Sequence, residues 1–343
     1  MKKYCFYFKR PSETSRGVML DKESYFILLK QDGCSGLGEC SLLRGLSPDD
    51  VPEYEEKLLW LCQNINEERE MLYQSLRNYP SIYFGLEQAF LSFERDSLVL
   101  FPSSFTEGNV GIRINGLIWM GAVDFMHKQL RQKISQGFSC IKLKIGAISF
   151  EEEYRLLKKF RKECPTVELC VDANGAFSFE EAPEKLDKLA TLGIHSIEQP
   201  IRAGQWEAMA ELCRKSSLPI ALDEDLIGIS DLKEKQNLLD VVAPKYLILK
   251  PSLCGGFQGS KDWIEEAEKR SIGWWITSAL ESNVGLSAIA QWVYSLGNPL
   301  PQGLGTGELY KNNFPLHLTV KGEMLWYDPT QIWDRECCIG EIG

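Results

Sequence analysis

Charged residues recur at nearly constant intervals through the middle of the chain, and each one ends a short apolar segment. The five are Lys144, Asp172, Glu198, Asp223 and Lys250, which stand 28, 26, 25 and 27 residues apart. One strand, one helix and their loops occupy about 30 residues in a parallel barrel, so this interval is that of a repeated βα unit. Because the carboxyl ends of barrel strands meet at one mouth, the period predicts that the five side chains converge there.

Apolar segments of strand length precede these residues, and segments with helical spacing of apolar positions separate them. Glu151–Glu163 and Gly285–Leu296 are typical of these helices. The glycine fingerprint of an open dinucleotide-binding sheet is missing, since GLG at 36–38 and at 303–305 lacks the third glycine. We therefore expect an α/β fold in which residues 101–319 form a closed barrel. Its predicted strands are Gly111–Ile114, Cys140–Lys144, Glu168–Asp172, Ser196–Glu198, Ile220–Asp223, Tyr246–Lys250 and Trp274–Ser278.

Residues 1–100 follow a different pattern, which predicts an α+β domain. Two segments rich in aromatic and apolar residues, Tyr4–Phe8 and Tyr25–Lys30, are typical of strands. Residues 10–18 and 33–50 are polar or rich in glycine, and we expect loops there. Pro52–Gln63 and Gly85–Phe93 have the apolar spacing of helices.

The bulk composition excludes several classes of protein. The chain of 343 residues carries a net charge of −10, which argues against nucleic-acid binding. Its 11 cysteines are scattered and include no CxxC pair, so we expect free thiols rather than a disulfide scaffold. No signal-peptide pattern opens the chain and no apolar run reaches ~18 residues, which predicts a cytoplasmic protein without a membrane segment. The three histidines, at 127, 195 and 317, show no metal-ligand spacing.

The residue types at the strand ends indicate a metal site that faces amines. Asp172, Glu198 and Asp223, called the three acids below, offer only oxygen ligands, which suits a hard cation such as Mg²⁺. Lys142 and Lys144 are two residues apart on a strand and point to one face, where buried ammonium groups need anionic partners. Such a site would bind a small anionic substrate by its carboxylate and remove a neighbouring proton with a lysine.

Each of these residues also has a structural explanation when it is taken singly. Asp172 could cap a turn formed with Asn174, the lysines of KLK at 142–144 could lie on a solvated edge strand, and Lys250 could end a surface strand. Since these explanations would all have to coincide with one period, we favour an active site. The alternative from a different functional class is a non-catalytic barrel that binds metal or has a structural role.

The succession KxK, DxN, ExP, DE and KP resembles the enolase superfamily, and within it the muconate lactonizing enzyme subgroup, over most of the chain. The resemblance implies a modified (β/α)7β TIM-like barrel at 101–319 and an N-terminal α+β capping domain at 1–100. The C-terminal tail, 320–343, would close the cap. Two cap segments, 10–19 and 36–47, would cover the barrel mouth and help to select the substrate.

The same resemblance assigns roles to the charged residues. The three acids would bind one Mg²⁺, which Mn²⁺ could replace. Lys144 would be the base, Lys142 would assist it and contact the substrate carboxylate, and Lys250 would lie across the substrate.

The subgroup contains cycloisomerases, dipeptide epimerases, N-acylamino acid racemases and o-succinylbenzoate synthases. The Asp-x-Asp that dipeptide epimerases carry near the eighth strand is missing from residues 302–309. Gly303–Gly307 offers backbone N–H groups suited to an anion. Ser278–Ser282 resembles the corresponding segment of o-succinylbenzoate synthases, and Gly303–Gly307 resembles the version found in Bacteroidetes-type members.

This closer resemblance implies an activity and a set of substrate contacts. The reaction would be the Mg²⁺-dependent syn-dehydration of 2-succinyl-6-hydroxy-2,4-cyclohexadiene-1-carboxylate to o-succinylbenzoate, a step of menaquinone synthesis. Racemisation of N-acylamino acids or epimerisation of dipeptides is the alternative, and the oligomeric state stays open. The residues expected to contact substrate are Ser278, Gly305, Thr306 and Asn174.

Overall fold

The computed structural model describes residues 1–14, 17–315 and 317–331, with the backbone alone at 12–14. The first part of the chain is an α+β cap, in which a three-stranded antiparallel sheet packs on a long helix. Ile27 of the sheet and Leu86 and Ala89 of that helix share one buried core. The cap elements are β1 (Lys2–Thr14), β2 (Gly17–Gln31), β3 (Cys34–Cys40), α1 (Tyr54–Gln63), α2 (Arg69–Ser75) and α3 (Pro80–Arg95).

Strand β3 corrects part of the expectation of a loop over residues 33–50, because residues 34–40 form a strand while residues 41–50 contain no helix or strand. A Cβ at Gly36 would lie 2.2 Å from the carbonyl oxygen of Ala89, and one at Gly38 would lie 1.9 Å from that of Gly85. The glycines that suggested a loop therefore allow the close approach of β3 to α3. Residues 10–14 and 17–18, also expected in a loop, continue β1 and β2 across a register shift, while residues 15 and 16 lie outside the described residues.

The rest of the described chain alternates strands and helices, as predicted. No helix among the described residues is long and apolar enough to cross a membrane. The elements are β4 (Ile112–Arg113), β5 (Gly116–Ile118), α4 (Val123–Ser135), β6 (Cys140–Lys144), α5 (Phe150–Glu163), β7 (Glu168–Asp172), α6 (Ala182–Ala190), β8 (Ser196–Glu198), α7 (Trp206–Lys215), β9 (Ile220–Leu222), a 3₁₀ turn (Glu224–Leu226), α8 (Leu232–Val242), β10 (Tyr246–Leu249), α9 (Pro251–Cys254), α10 (Gly256–Lys269), β11 (Gly273–Ile276), α11 (Asn283–Leu296), β12 (Leu318–Lys321) and β13 (Met324–Tyr327).

Strands β5 to β11 form one parallel sheet in sequence order, and residues 302 and 303 join its two edges. The N–H of Gln302 donates to the carbonyl oxygen of Arg113 at 2.9 Å, and that of Gly303 donates to Ile276 at 2.8 Å. This segment occupies the eighth strand position, so the sheet closes into the expected barrel. The first strand differs from the prediction, because β4 pairs with β13 and the parallel pairing to β6 begins only at Gly116.

The described part of the C-terminal tail lies at the base of the barrel. Strands β12 and β13 form a hairpin, and β13 pairs with β4. The segment before this hairpin contacts the cap, since Lys9 donates its N–H to the carbonyl oxygen of Leu309 at 2.8 Å and Phe314 packs edge-on against Phe6. The tail was expected to close the cap, and its residues 332–343 lie outside the described residues.

Candidate active site

Strand register aligns the charged residues at the carboxyl edge of the barrel. Lys144 of β6 pairs with Asp172 of β7, and Asp172 pairs with Glu198 of β8. Side chains at equal height on adjacent parallel strands form a row, about 4.8 Å apart from strand to strand. Lys142 lies two residues before Lys144 and points to the same side. The convergence expected from the sequence period is therefore present for Lys144, Asp172 and Glu198, and Lys142 lies beside them.

The two lysines of β6 contact the row of acids directly. Lys142 Nζ lies 3.1 Å from Asp172 Oδ2 and donates to Glu198 Oε2. Lys144 Nζ lies 3.4 Å from the same Asp172 oxygen and donates to Asn174 Oδ1 at 2.9 Å. Both ammonium groups thus have the anionic partners that their burial requires.

Lys250 approaches the site from another side of the barrel. It follows β10, which three strands separate from β6, and its Nζ donates to Asp223 Oδ2. Asp223 follows β9, and its N–H donates to Gln199 Oε1 at 3.2 Å. The amines of Lys144 and Lys250 consequently reach the site from different directions.

These charges are held out of water. The three acids are at most 3% exposed. Burial opposes the charged form of Lys142, yet the charges of Asp172 and Glu198 outweigh it and hold the pKa of Lys142 above its ordinary value. Burial and the neighbouring charge of Asp172 raise the pKa of Glu198 well above its ordinary value. Like charges are thus crowded here, and a further cation would relieve their repulsion.

The donor set fits a hard divalent cation, although its oxygens are spread apart in this structure. No choice of one carboxylate oxygen from each of the three acids gives three oxygens that all lie within 4.8 Å of one another. Lys142 contacts an oxygen of Glu198, and Lys250 contacts an oxygen of Asp223. Glu224 Oε2 is buried without a hydrogen-bond partner, and burial together with the charge of Asp223 raises the pKa of Glu224 to about 7. An unpaired buried carboxylate oxygen beside three acids is consistent with a cation binding among them.

A cavity of about 200 Å³ lies at this mouth. Asp172, Glu198 and Glu224 line it, whereas Asp223 is not among the lining residues. The four residues expected to contact substrate all line the cavity: Ser278, Gly305, Thr306 and Asn174. The hydroxyl oxygens of two of these wall residues, Ser278 and Thr306, are 2.6 Å apart.

The cap covers the cavity with both segments named from the resemblance. Residues 17–19 come from the first segment, and Leu43, Arg44 and Leu46 come from the second. Trp119 and Trp275 supply an apolar wall that sequence reasoning missed. Their contribution depends on the course of the chain around the mouth, and no local sequence pattern marks it.

Asn174 is held by the protein on both sides of its amide. Its Oδ1 accepts from Lys144, its Nδ2 donates to Glu224 Oε1 at 3.0 Å, and its N–H donates to Asp172 Oδ1 at 3.1 Å. The residue has a φ of 43°, a left-handed conformation that asparagine tolerates. These contacts connect Asn174 to the amine of Lys144 as well as to the cavity.

A larger cavity, about 480 Å³, lies between the cap and the barrel and is lined by Tyr73, Tyr83 and Lys235. None of the five strand-end residues lines it. The candidate active site is therefore chosen by its chemistry rather than by its size.

Comparison with known proteins agrees with this geometry. Residues 126–328 match the family described as "Enolase C-terminal domain-like". The chain belongs to the enolase superfamily. This confirms the family predicted from the strand-end motifs.

Individual members of the superfamily differ in how similar they are to this chain. The chain is 44% identical to the o-succinylbenzoate synthase of Desulfotalea psychrophila over 93% of this chain and 95% of that protein. The crystal structure of MenC from Desulfotalea psychrophila LSv54 has a TM-score of 0.84 and 40% identity, covering 95% of this chain and 98% of that one. An L-Ala-D/L-amino acid epimerase of Flavobacterium johnsoniae is only 24% identical, over 84% of this chain and 85% of that protein. The closer similarity to the synthase than to the epimerase agrees with the activity favoured from the sequence.

Proposed function

We propose that this chain catalyses the dehydration of 2-succinyl-6-hydroxy-2,4-cyclohexadiene-1-carboxylate to o-succinylbenzoate. The observation that carries the proposal is the buried group of three acids with lysines on two sides, in a chain 44% identical to an o-succinylbenzoate synthase. The proposal includes the expected place in menaquinone synthesis and a cytoplasmic location.

Lys144 is the base in this proposal. Its neutral amine takes the proton from the carbon that carries the substrate carboxylate, and the electron pair of that C–H bond moves toward the carboxylate. The same amine, now protonated, gives its proton to the hydroxyl as the C–O bond breaks. Water leaves and the ring becomes aromatic, so one amine on one face suffices for a syn elimination.

Lys142 and Lys250 act through charge in this scheme. Lys142 is held between Asp172 and Glu198, where its ammonium stabilises the row of acids and faces the substrate carboxylate. Lys250, held by Asp223, places a second ammonium beside the ring while negative charge spreads over it. Because these charges are buried, they stabilise a developing anion more strongly than they would in water.

The three acids would hold one Mg²⁺, or Mn²⁺ in its place, with Glu224 as their neighbour. When bound, the ion would supply positive charge against the substrate carboxylate as the proton is removed. The acids that now contact Lys142 and Lys250 are the ones that would hold the ion.

The cavity walls fit a substrate with an apolar ring and two anionic groups. Trp119 and Trp275 offer an apolar face for the ring. The hydroxyls of Ser278 and Thr306 and the glycine-containing segment at 303–305 lie away from the acids and suit the carboxylate of the succinyl arm.

One observation favours a second candidate, racemisation of N-acylamino acids. Lys144 and Lys250 reach the cavity from different sides, and a racemase needs one acid–base group on each face of the carbon. A single pair of lysines can therefore support either reaction, and the outcome depends on which substrate binds.

A direct comparison of the two reactions tests the proposal. Purified protein with Mg²⁺ is supplied in D₂O with the cyclohexadiene carboxylate or with N-succinylamino acids, and both are followed by proton NMR. We expect formation of o-succinylbenzoate to be the faster reaction. We also expect Lys250→Arg to abolish racemisation of N-succinylamino acids, which needs a lysine on each face of the α-carbon, while some elimination remains. Exchange that outpaces dehydration, or the absence of aromatic product, would instead indicate a racemase.

A further inference from the structure

A second group of candidate ligands lies at the opposite, amino-terminal end of the barrel. The Sγ atoms of Cys140 and Cys170 and a carboxylate oxygen of Glu168 all lie within 4.8 Å of one another. Over residues 1–14, 17–315 and 317–331, this is the one set of three His, Cys, Asp or Glu side chains found with that spacing. His195 adds a fourth group, because its Nδ1 lies 3.6 Å from Cys170 Sγ. We call these four residues the basal cluster.

The basal cluster follows from the same strand register as the mouth. Cys140 and Glu168 begin β6 and β7 and pair with each other. Cys170 lies two residues further along β7, and His195 immediately precedes β8. Four residues of strand, about 13 Å, separate Glu168 from Asp172, so the cluster lies below the three acids.

We propose that the basal cluster binds a zinc ion through the sulfurs of Cys140 and Cys170, a carboxylate oxygen of Glu168 and Nδ1 of His195. Two thiolates, an imidazole and a carboxylate form the four-coordinate set that zinc prefers, whereas the oxygen-only acids at the mouth suit Mg²⁺. Zinc–sulfur bonds of ~2.3 Å at tetrahedral angles place two sulfurs ~3.8 Å apart. The present spacing therefore needs a shift of about 1 Å or less.

The imidazole of His195 is already held in a suitable orientation. Its Nε2 lies 3.3 Å from the hydroxyl of Tyr246, and the two rings stack with centroids 5.0 Å apart. Its Nδ1, which also lies 3.0 Å from Ser196 Oγ, faces Cys170. Histidine ligands in proteins usually donate their second N–H to an oxygen acceptor, which fixes the ring and its tautomer. Tyr246 fills that role here.

The proposed ion would connect neighbouring strands of the barrel. Cys140 lies on β6, Glu168 and Cys170 lie on β7, and His195 precedes β8. The other ends of the same strands carry Lys144, Asp172 and Glu198. An ion that binds the folded barrel and not the unfolded chain raises its stability in proportion to the logarithm of ion concentration. This zinc site is independent of the reaction proposed for the mouth.

Cobalt provides a direct probe of the sulfur ligands. Metal-free protein, prepared with a chelator and a thiol reductant, is titrated with Co²⁺ and then with Zn²⁺. Thiolate-bound tetrahedral Co²⁺ gives a sulfur-to-metal charge-transfer band, whereas Co²⁺ bound to carboxylates at the mouth does not. We expect one equivalent of Co²⁺ to produce the band and one equivalent of Zn²⁺ to abolish it. Wild-type protein that gives no such band would overturn the proposal.

Three variants separate this site from the other thiols. Cys140→Ser should lose the band, and Cys164→Ser, which changes a partly buried thiol at the end of α5, should keep it. Tyr246→Phe changes no ligand and is expected to fold, but should weaken Zn²⁺ binding by roughly 10- to 100-fold because it releases the imidazole. A band retained in Cys140→Ser, or Zn²⁺ binding by Tyr246→Phe as tight as in the wild type, would contradict the proposal.

Discussion

Asn174 lies between the amine of Lys144 and the carboxylate of Glu224, and this position allows its role to be tested. Resemblance predicted that Asn174 contacts substrate, but both ends of its amide already contact the protein. We predict that it chiefly positions the amine of Lys144. Asn174→Gly removes the side chain while keeping the backbone N–H that donates to Asp172, and glycine accepts the left-handed φ of 43° without strain.

The size of the effect follows from the lost contact. A hydrogen bond to a charged group contributes about 1.5–3 kcal/mol. If the ammonium form of Lys144 and the proton transfer both depend on this 2.9 Å contact, the rate falls about 10- to 150-fold, since 1.36 kcal/mol corresponds to tenfold. Substrate affinity should change little, because the amide of Asn174 is occupied by Lys144 and Glu224.

Steady-state kinetics with the cyclohexadiene carboxylate separates the two roles. We expect Asn174→Gly to lower kcat with KM nearly unchanged. Thr306→Val is the matched control, because Thr306 lines the cavity away from the acids and its loss should raise KM instead. An Asn174→Gly variant with a wild-type kcat and a raised KM would refute the positioning role and restore Asn174 as a substrate contact.

Two further predictions concern the cap. Gly38→Ala would place a Cβ 1.9 Å from the carbonyl oxygen of Gly85, so we expect urea unfolding to show that the free energy of unfolding falls by about 3 kcal/mol or more. Gly305→Ala is the control and should cost little, because no atom lies nearer than 3.8 Å to the added Cβ. Equal urea midpoints for the two variants would contradict the packing role of Gly38. Asp49 accepts from Ser81, but burial raises the pKa of Asp49 to about 6, so the folded state holds this proton more tightly than the unfolded state does. The contribution of Asp49 to the free energy of unfolding should therefore fall by up to about 3 kcal/mol between pH 4 and 6 and stay level above. Urea titrations at several pH values should show this fall in the wild type relative to Asp49→Asn, and parallel curves for the two proteins would contradict it.

The parallel strands were predictable because each is a short apolar run that ends in a charge. Strands β6 to β10 begin at the predicted residues and end within one residue of the predicted ends. The prediction of a barrel with an α+β cap is confirmed. The prediction of a loop at the residues of β3 was wrong, because Gly36 and Gly38 serve the close approach of helix α3 rather than a turn. A glycine needed for packing and one needed for a turn look the same in a sequence.

Part of the candidate site could also be expected from the period. Spacing alone placed Lys144, Asp172 and Glu198 at one height, and the register agrees. It could not show that Glu224, rather than Asp223, would line the cavity, because that depends on the turn after β9. Metal-ligand spacing also failed to reveal the basal cluster, because its ligands come from β6, β7 and the residue before β8 and have no local motif.

The dependence of dehydration on Mg²⁺ tests the assignment of the mouth most directly. Purified protein is freed of metal with a chelator, and o-succinylbenzoate formation is measured while free Mg²⁺ is raised. If the three acids hold the ion against the substrate carboxylate while Lys144 removes the proton, the metal-free protein should form no product and Mg²⁺ should restore a saturating rate. A full rate in excess chelator would contradict this assignment.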